Sequence, residues 1–217
     1  WDSLSLLPRG APCSLVDIGA HHGTVSRMAE YQGCRVWAFE TNGRSLNRLR
    51  ANLANFSDTR IYTTERVDNV VPRNHVVTMV KIDVDGPDAS VARGAARVLS
   101  TALSVHVEIA PRKQGGLNGV LRYANFLKAR GFTLYEHWHN PIGQTHHKPH
   151  NVARLPNNPA VILAIKREHP MRALIRSCGA TATPLTNDSL AAIVATAGAS
   201  ERDVWGVRRD VLKKCTG

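Results

Sequence analysis

The stretch from Leu15 to Glu40, LVDIGAHHGTVSRMAEYQGCRVWAFE, constrains the fold more than any other part of the 217-residue chain. A short apolar run ends in Asp17. A turn carrying Gly19 and Gly23 follows, then a helix-like segment, then a second apolar run ending in Glu40. Strand, glycine turn, helix, strand and acid together make the opening unit of a nucleotide-binding α/β sheet. Glu40 lies 17 residues past Gly23, close to the roughly 20 expected of an acid that holds a ribose. The pattern therefore predicts a nucleoside-bearing ligand over the carboxyl ends of parallel strands. His21 stands where the dinucleotide fingerprint needs its middle glycine. That argues against a pyrophosphate resting on the helix N-terminus, and so against NAD.

The rest of the chain continues the alternation. Strands are expected at about 14–18, 35–40, 60–64, 76–84, 104–110, 133–139 and 160–166. Helices are expected at about 24–32, 43–55, 87–99 and 117–130; in the second, Leu46, Leu49 and Leu53 recur at helical spacing. Such alternation gives right-handed crossovers and a mainly parallel sheet. No helix separates the sixth and seventh strands, so the last should run antiparallel. The expected fold class is α/β and Rossmann-like: a seven-stranded, mostly parallel sheet with helices on both faces. Residues 1–169 form the expected domain, and the alanine-rich residues 170–217 a helical C-terminal extension of it.

Charge is unevenly spread. Residues 1–110 carry 12 Lys and Arg against 11 Asp and Glu, whereas residues 111–217 carry 16 against 6, for a total of +11. A basic half suits an acidic partner such as nucleic acid, a phosphorylated small molecule, an anionic glycan or a membrane surface, or else is a solvated face. No Arg/Lys run exceeds two residues and no RNA-binding signature with interleaved aromatics is present, so nucleic acid ranks below a small molecule. No apolar run reaches the roughly 20 residues of a membrane span. The chain starts at Trp1, which leaves room for a removed targeting segment; the default compartment is the cytoplasm. Cys13, Cys34, Cys178 and Cys215 show no C-x-x-C spacing. Cys13 and Cys34 each precede a strand and would meet at one sheet edge if those strands are neighbours. A disulfide there requires an oxidising compartment, and free thiols are the expected state.

Four groups of residues carry chemistry. The first is the turn of Asp17, Gly19, His21 and Gly23, with Glu40 after it. The second is V80-K81-I82-D83-V84-D85-G86-P87-D88, with carboxylates at the end of the fourth strand, where open α/β sheets bind ligands. Asp85 could equally cap the next helix. Asp83 is expected to interrupt a buried strand with a charge, which is costly unless partnered. The third is Glu108 in V-H-V-E-I, expected beside Asp83 on the same edge. This pair would supply a general base or part of a divalent-metal site, although no metal is included in the expected site. The fourth is His137, His139, His146, His147 and His150; His137, at the end of the sixth strand, is the favoured proton acceptor.

With these residues assembled, the chain resembles the FkbM family of S-adenosylmethionine-dependent methyltransferases. The matching stretches are VDIGAHHGTVS, VWAFETN, RVDNVV, VKIDVDGPDASVARGAARVL and VHVEI, in order over about residues 14–110. The resemblance implies a class I methyltransferase fold with S-adenosylmethionine as cofactor. It places Asp17, Gly19, His21 and Gly23 around the methionine part, Glu40 on the ribose, Asp68 near the adenine amino group and Asp83 by the methyl donor. It also implies O-methylation of a hydroxyl on a sugar or other small metabolite. His21 stands where the family has Asn, Thr41 and Asn42 replace its proline-containing pair, and Asp85 shortens its usual Glu. Rival readings are an RNA or nucleotide methyltransferase using the basic half, a dinucleotide-dependent oxidoreductase, and a non-catalytic interaction module on the same fold.

Overall fold

A computed structural model describes residues 13–84, 88–109, 111–136, 186–188, 191 and 202–208. In chain order the elements are β1 (Ser14–Ile18), α1 (Thr24–Tyr31), β2 (Arg35–Phe39), α2 (Gly43–Leu53), β3 (Thr59–Tyr62), α3 (Val67–Val70) and β4 (Met79–Ile82). They continue with α4 (Asp88–Gly94), α5 (Ala96–Thr101), β5 (Ser104–Ile109), α6 (Gly116–Lys128), β6 (Phe132–Glu136) and β7 (Arg202–Arg208). The strands form one sheet in the order β3-β2-β1-β4-β5-β7-β6. The five strands from β3 to β5 run parallel, while β7 lies antiparallel between β5 and β6.

The central strands are buried on both faces, which is why they read as nearly continuous apolar runs; every residue of β1 is buried. Alternate side chains feed two cores. Val16, Ile18, Trp37 and Phe39 pack with residues of α3, α5 and α6 on one face. Leu15, Val36 and Ala38 pack with Ala29 of α1 and with Leu49 and Leu53 of α2 on the other. Helix α2 starts where Asn42 Oδ1 accepts from the backbone amides of Arg44 and Ser45 at 3.0 and 3.2 Å, a side-chain cap on the orphan amides of its first turn.

The structure corrects four expectations. The sheet is completed by residues 202–208, inside the tail expected to be helical, whereas 160–166 lie outside the described residues. The charged flanks of R-D-V-W-G-V-R resemble a helix start, but hydrogen bonding to two neighbouring strands makes it a strand. The helix expected over 87–99 is two, α4 and α5, broken at Gly94 and Ala95, where Ala95 has φ −112° and ψ 20°. Strand β4 ends at Ile82, so Asp83 lies beyond it with a half-exposed side chain, and the buried charge inside the strand is Lys81.

The fourth correction concerns the thiols: Cys13 and Cys34 form a disulfide. Ser14 lies opposite Arg35 in the parallel β1–β2 pair. The residues one step earlier are therefore also opposite, with Cα atoms 4.6 Å apart, and they project to the same face of the sheet.

Candidate functional site

Register alone brings the predicted acids together. Ile18 pairs with Phe39 on one side and Ile82 on the other, and Ile82 pairs with Val107. One residue further, Gly19, Glu40, Asp83 and Glu108 stand side by side at the carboxyl edge of β1, β2, β4 and β5. Asp17 lies just inside this edge, fully buried.

The glycine turn is held from several directions. The amides of Gly19 and Ala20 donate to the Phe39 carbonyl at 2.9 and 3.0 Å. Glu40 reaches across from β2. One of its carboxylate oxygens accepts from the His21 amide and the other from the Asn42 amide, each at 2.7 Å. Two lone-pair sites remain on that carboxylate for a ligand. Gly19 has φ +79°, and a Cβ there would stand 1.8 Å from the Asp83 carbonyl oxygen, so only glycine allows the turn to cross β4 so closely. His21 also adopts a left-handed conformation, with φ 52°, and its ring stacks on His22 at 3.7 Å. Local desolvation first, then the neighbouring His21 and Arg48, hold the His22 pKa below the ordinary histidine value.

Beneath the turn lies a buried ion cluster that sequence reasoning missed. The Lys81 ammonium stands 3.4 Å from Asp17 Oδ1 and 3.2 Å from Asp83 Oδ2, and donates to the Gly19 carbonyl at 3.0 Å. Ser26 Oγ donates to the other Asp17 oxygen at 2.7 Å. Burial pulls Lys81 toward deprotonation, but Asp17 and Asp83 together outweigh it and raise its pKa above the ordinary lysine value. The available signal was a lysine inside the apolar run V-K-I, which requires a carboxylate partner at that depth. Two carboxylates meet this ammonium, and Glu40 adds a third at the neighbouring strand end, so among the described residues this part of the edge is net negative. That charge suits a cationic ligand and opposes a pyrophosphate.

Asp68 has a different setting from its neighbours. Its two carboxylate oxygens accept from the backbone amides of Arg97 and Val98 at 2.9 and 3.0 Å, capping α5. The Arg97 guanidinium answers by donating to the carbonyls of Asp68 and Val71, each at 2.6 Å. Glu108 is half-buried at the end of β5; its carbonyl accepts from Gln114 Nε2 at 2.9 Å. His137, the other four candidate histidines and Asp85 lie outside the described residues. Among the described residues, no three His, Cys, Asp or Glu side chains gather as a metal-ligand set, and no helix is long and apolar enough to cross a membrane.

No known family profile and no curated protein matches the chain by sequence. Solved structures do match in fold. A Streptococcus mutans protein assigned as a methyltransferase, solved in complex with SAH, aligns over 95% of this chain and 94% of its own, with TM-score 0.52 and 12% identity. A Clostridium thermocellum protein assigned as an rRNA methylase aligns over 61% of this chain and 80% of its own, with TM-score 0.50 and 14% identity. Precorrin-6y C5,15-methyltransferase from Geobacter metallireducens aligns over 62% and 72%, with TM-score 0.48 and 19% identity. At these identities the likeness is one of architecture: the chain has the Rossmann-like α/β fold of methyltransferases.

Proposed function

We propose that the chain is an S-adenosylmethionine-dependent methyltransferase that acts on a hydroxyl of a sugar or other small metabolite. The observation that carries this reading is the net-negative carboxyl edge built around a glycine turn, with Glu40 oriented by two backbone amides. Its donor set fits the proposed cofactor: carboxylates face a sulfonium and an ammonium, and Glu40 retains lone pairs for ribose hydroxyls. The Streptococcus mutans neighbour, which carries SAH, supports the same ligand class.

In this reading Asp17, Gly19, His21 and Gly23 surround the methionine part and Glu40 holds the ribose. Asp68, which resemblance puts near the adenine, shapes that wall by joining α3 to α5. S-adenosylmethionine, when bound, supplies an electrophilic methyl group. The protein's part is to align the acceptor oxygen with that methyl carbon, which can supply much of the rate, and to accept the hydroxyl proton. Asp83 and Glu108 flank the acceptor, and His137, whose ordinary pKa lies near neutrality, serves as the base.

Calorimetric titration with S-adenosylhomocysteine, with NAD as control, tests the cofactor. The expected result is micromolar binding of the former alone, lost in Glu40→Ala. An absence of binding to the wild-type chain would overturn the assignment.

One observation favours a second reading, RNA methylation: the charge of +11 is concentrated in residues 111–217. RNA binding that falls steeply with salt would select it, because phosphate contacts release counterions.

A further inference from the structure

One recess is lined, among the described residues, by none of the glycine-turn residues. It is a cavity of about 410 Å³ lined by Arg66, Val67, Ser90, Val91, Arg93 and Gly94. One wall is the start of α3, which follows β3. The other is α4, which follows β4. The loops entering both helices leave the carboxyl edge of the sheet.

Among the described residues, this lining carries two cations and no carboxylate. Arg66 and Arg93 are both exposed, and among the described residues neither has a carboxylate within ion-pair distance. The two acids next to Arg66 in sequence are turned to the backbone. Glu65 accepts from the amides of Thr63 and Thr64, each at 3.0 Å, and its own backbone amide first, with those two, holds its pKa below the ordinary carboxylate value. Asp68 is spent on capping α5. The nearby Arg97 guanidinium is committed to carbonyls. Arg66 and Arg93, with no carboxylate partner among the described residues, and Ser90 therefore line one recess together with the apolar Val67 and Val91.

We infer that this recess binds the phosphoryl group of a small phosphate ester. A phosphomonoester carries about −1.5 to −2 charges at neutral pH, which two guanidinium groups neutralise, and each fork can donate two parallel hydrogen bonds to its oxygens. A carboxylate would leave one cation unmatched. The volume falls within the range of small-ligand sites, roughly 300–1,000 Å³. Among the described residues the lining contains no aromatic ring on which a base could stack, and stacking is the usual anchor for single-stranded nucleic acid. A small ester therefore fits better than a polynucleotide. This inference does not depend on the methyltransferase reading.

The test uses the full chain and calorimetry at low salt, with ribose 5-phosphate as probe, ribose as neutral control and a 12-nucleotide RNA as competitor class. Saturable binding of ribose 5-phosphate but not ribose is expected. Arg66→Gln and Arg93→Gln should each weaken it about tenfold, and the double variant should abolish it. Arg73→Gln, an exposed arginine outside the recess, should leave affinity unchanged. Because both lining arginines are exposed and have no ion-pair partner among the described residues, the variants should keep the wild-type melting temperature. The inference is overturned if ribose 5-phosphate fails to saturate, if ribose binds equally, or if the double variant binds as the wild type does. RNA binding more tightly than the ester, and losing that affinity in the double variant, would assign the recess to nucleic acid instead.

Discussion

Replacing Lys81 by Met removes the ammonium beneath the glycine turn while keeping most of its volume. Asp17 then remains wholly buried with the Ser26 hydroxyl as its side-chain partner among the described residues. Breaking a buried pair from one side costs about 3–5 kcal/mol, because it strands the other charge. Asp83 contributes little to that figure: its side chain is 48% exposed, and pairs at such positions are worth about 0–1 kcal/mol. For a urea dependence of about 2 kcal/mol per molar, the unfolding midpoint should fall by about 1.5–2.5 M. Asp17→Asn in the Lys81→Met background neutralises the stranded group and should recover more than half of the loss. The pH dependence has a defined sign. The folded-state Lys81 pKa is raised, so its contribution is complete below the unfolded lysine value, about 10.4. It is lost as pH rises through the folded value. The difference between wild type and Lys81→Met should therefore be flat from neutral pH to about 9 and shrink only above about 10.5. Urea titrations at several pH values read all of this. A midpoint within about 0.3 M of wild type, or no recovery in the double variant, would refute the buried-pair account.

Gly19→Ala should distort the turn against the Asp83 carbonyl and lower S-adenosylhomocysteine affinity in calorimetry by more than it lowers the melting temperature of the sheet, since both φ and space are wrong for a side chain there. Asp68→Ala removes two amide acceptors at the start of α5 and should cost about 1–2 kcal/mol in chemical denaturation; a cost under about 0.3 kcal/mol would refute the capping role. Opening the Cys13–Cys34 bridge, whose partners are 21 residues apart, should cost about 3 kcal/mol on loop-entropy grounds, seen as a lower melting temperature with reductant. An unchanged melting temperature, with the thiols confirmed free by alkylation, would overturn that role.

Much of the candidate site was readable before any coordinates because it lies where local patterns end. Asp17, Glu40, Asp83 and Glu108 each close or follow an apolar run, and parallel pairing brings the ends of such runs to one edge. The placements of Asp68 and Lys81 were not readable in the same way. Resemblance alone puts Asp68 near the adenine; that its carboxylate accepts from the start of α5, 29 residues on, follows from the packing of α3 against α5. Lys81 is a charge inside an apolar run, yet it joins the end of β4 to the glycine turn, 62 residues earlier.

The sequence by itself determined the alternation of strands and helices, the glycine turn and the family of acids around it. Hydrophobic period, glycine conformation and capping act over a few residues and leave their mark locally. Only the tertiary structure decided that residues 202–208 enter the sheet between β5 and β6, that Cys13 and Cys34 bond, that Lys81 balances two acids, and that Arg66 and Arg93 share a recess. Each of these depends on a partner supplied from elsewhere in the chain, and hydrogen-bond and charge pairing across such distances is set by the packed sheet rather than by neighbouring residues.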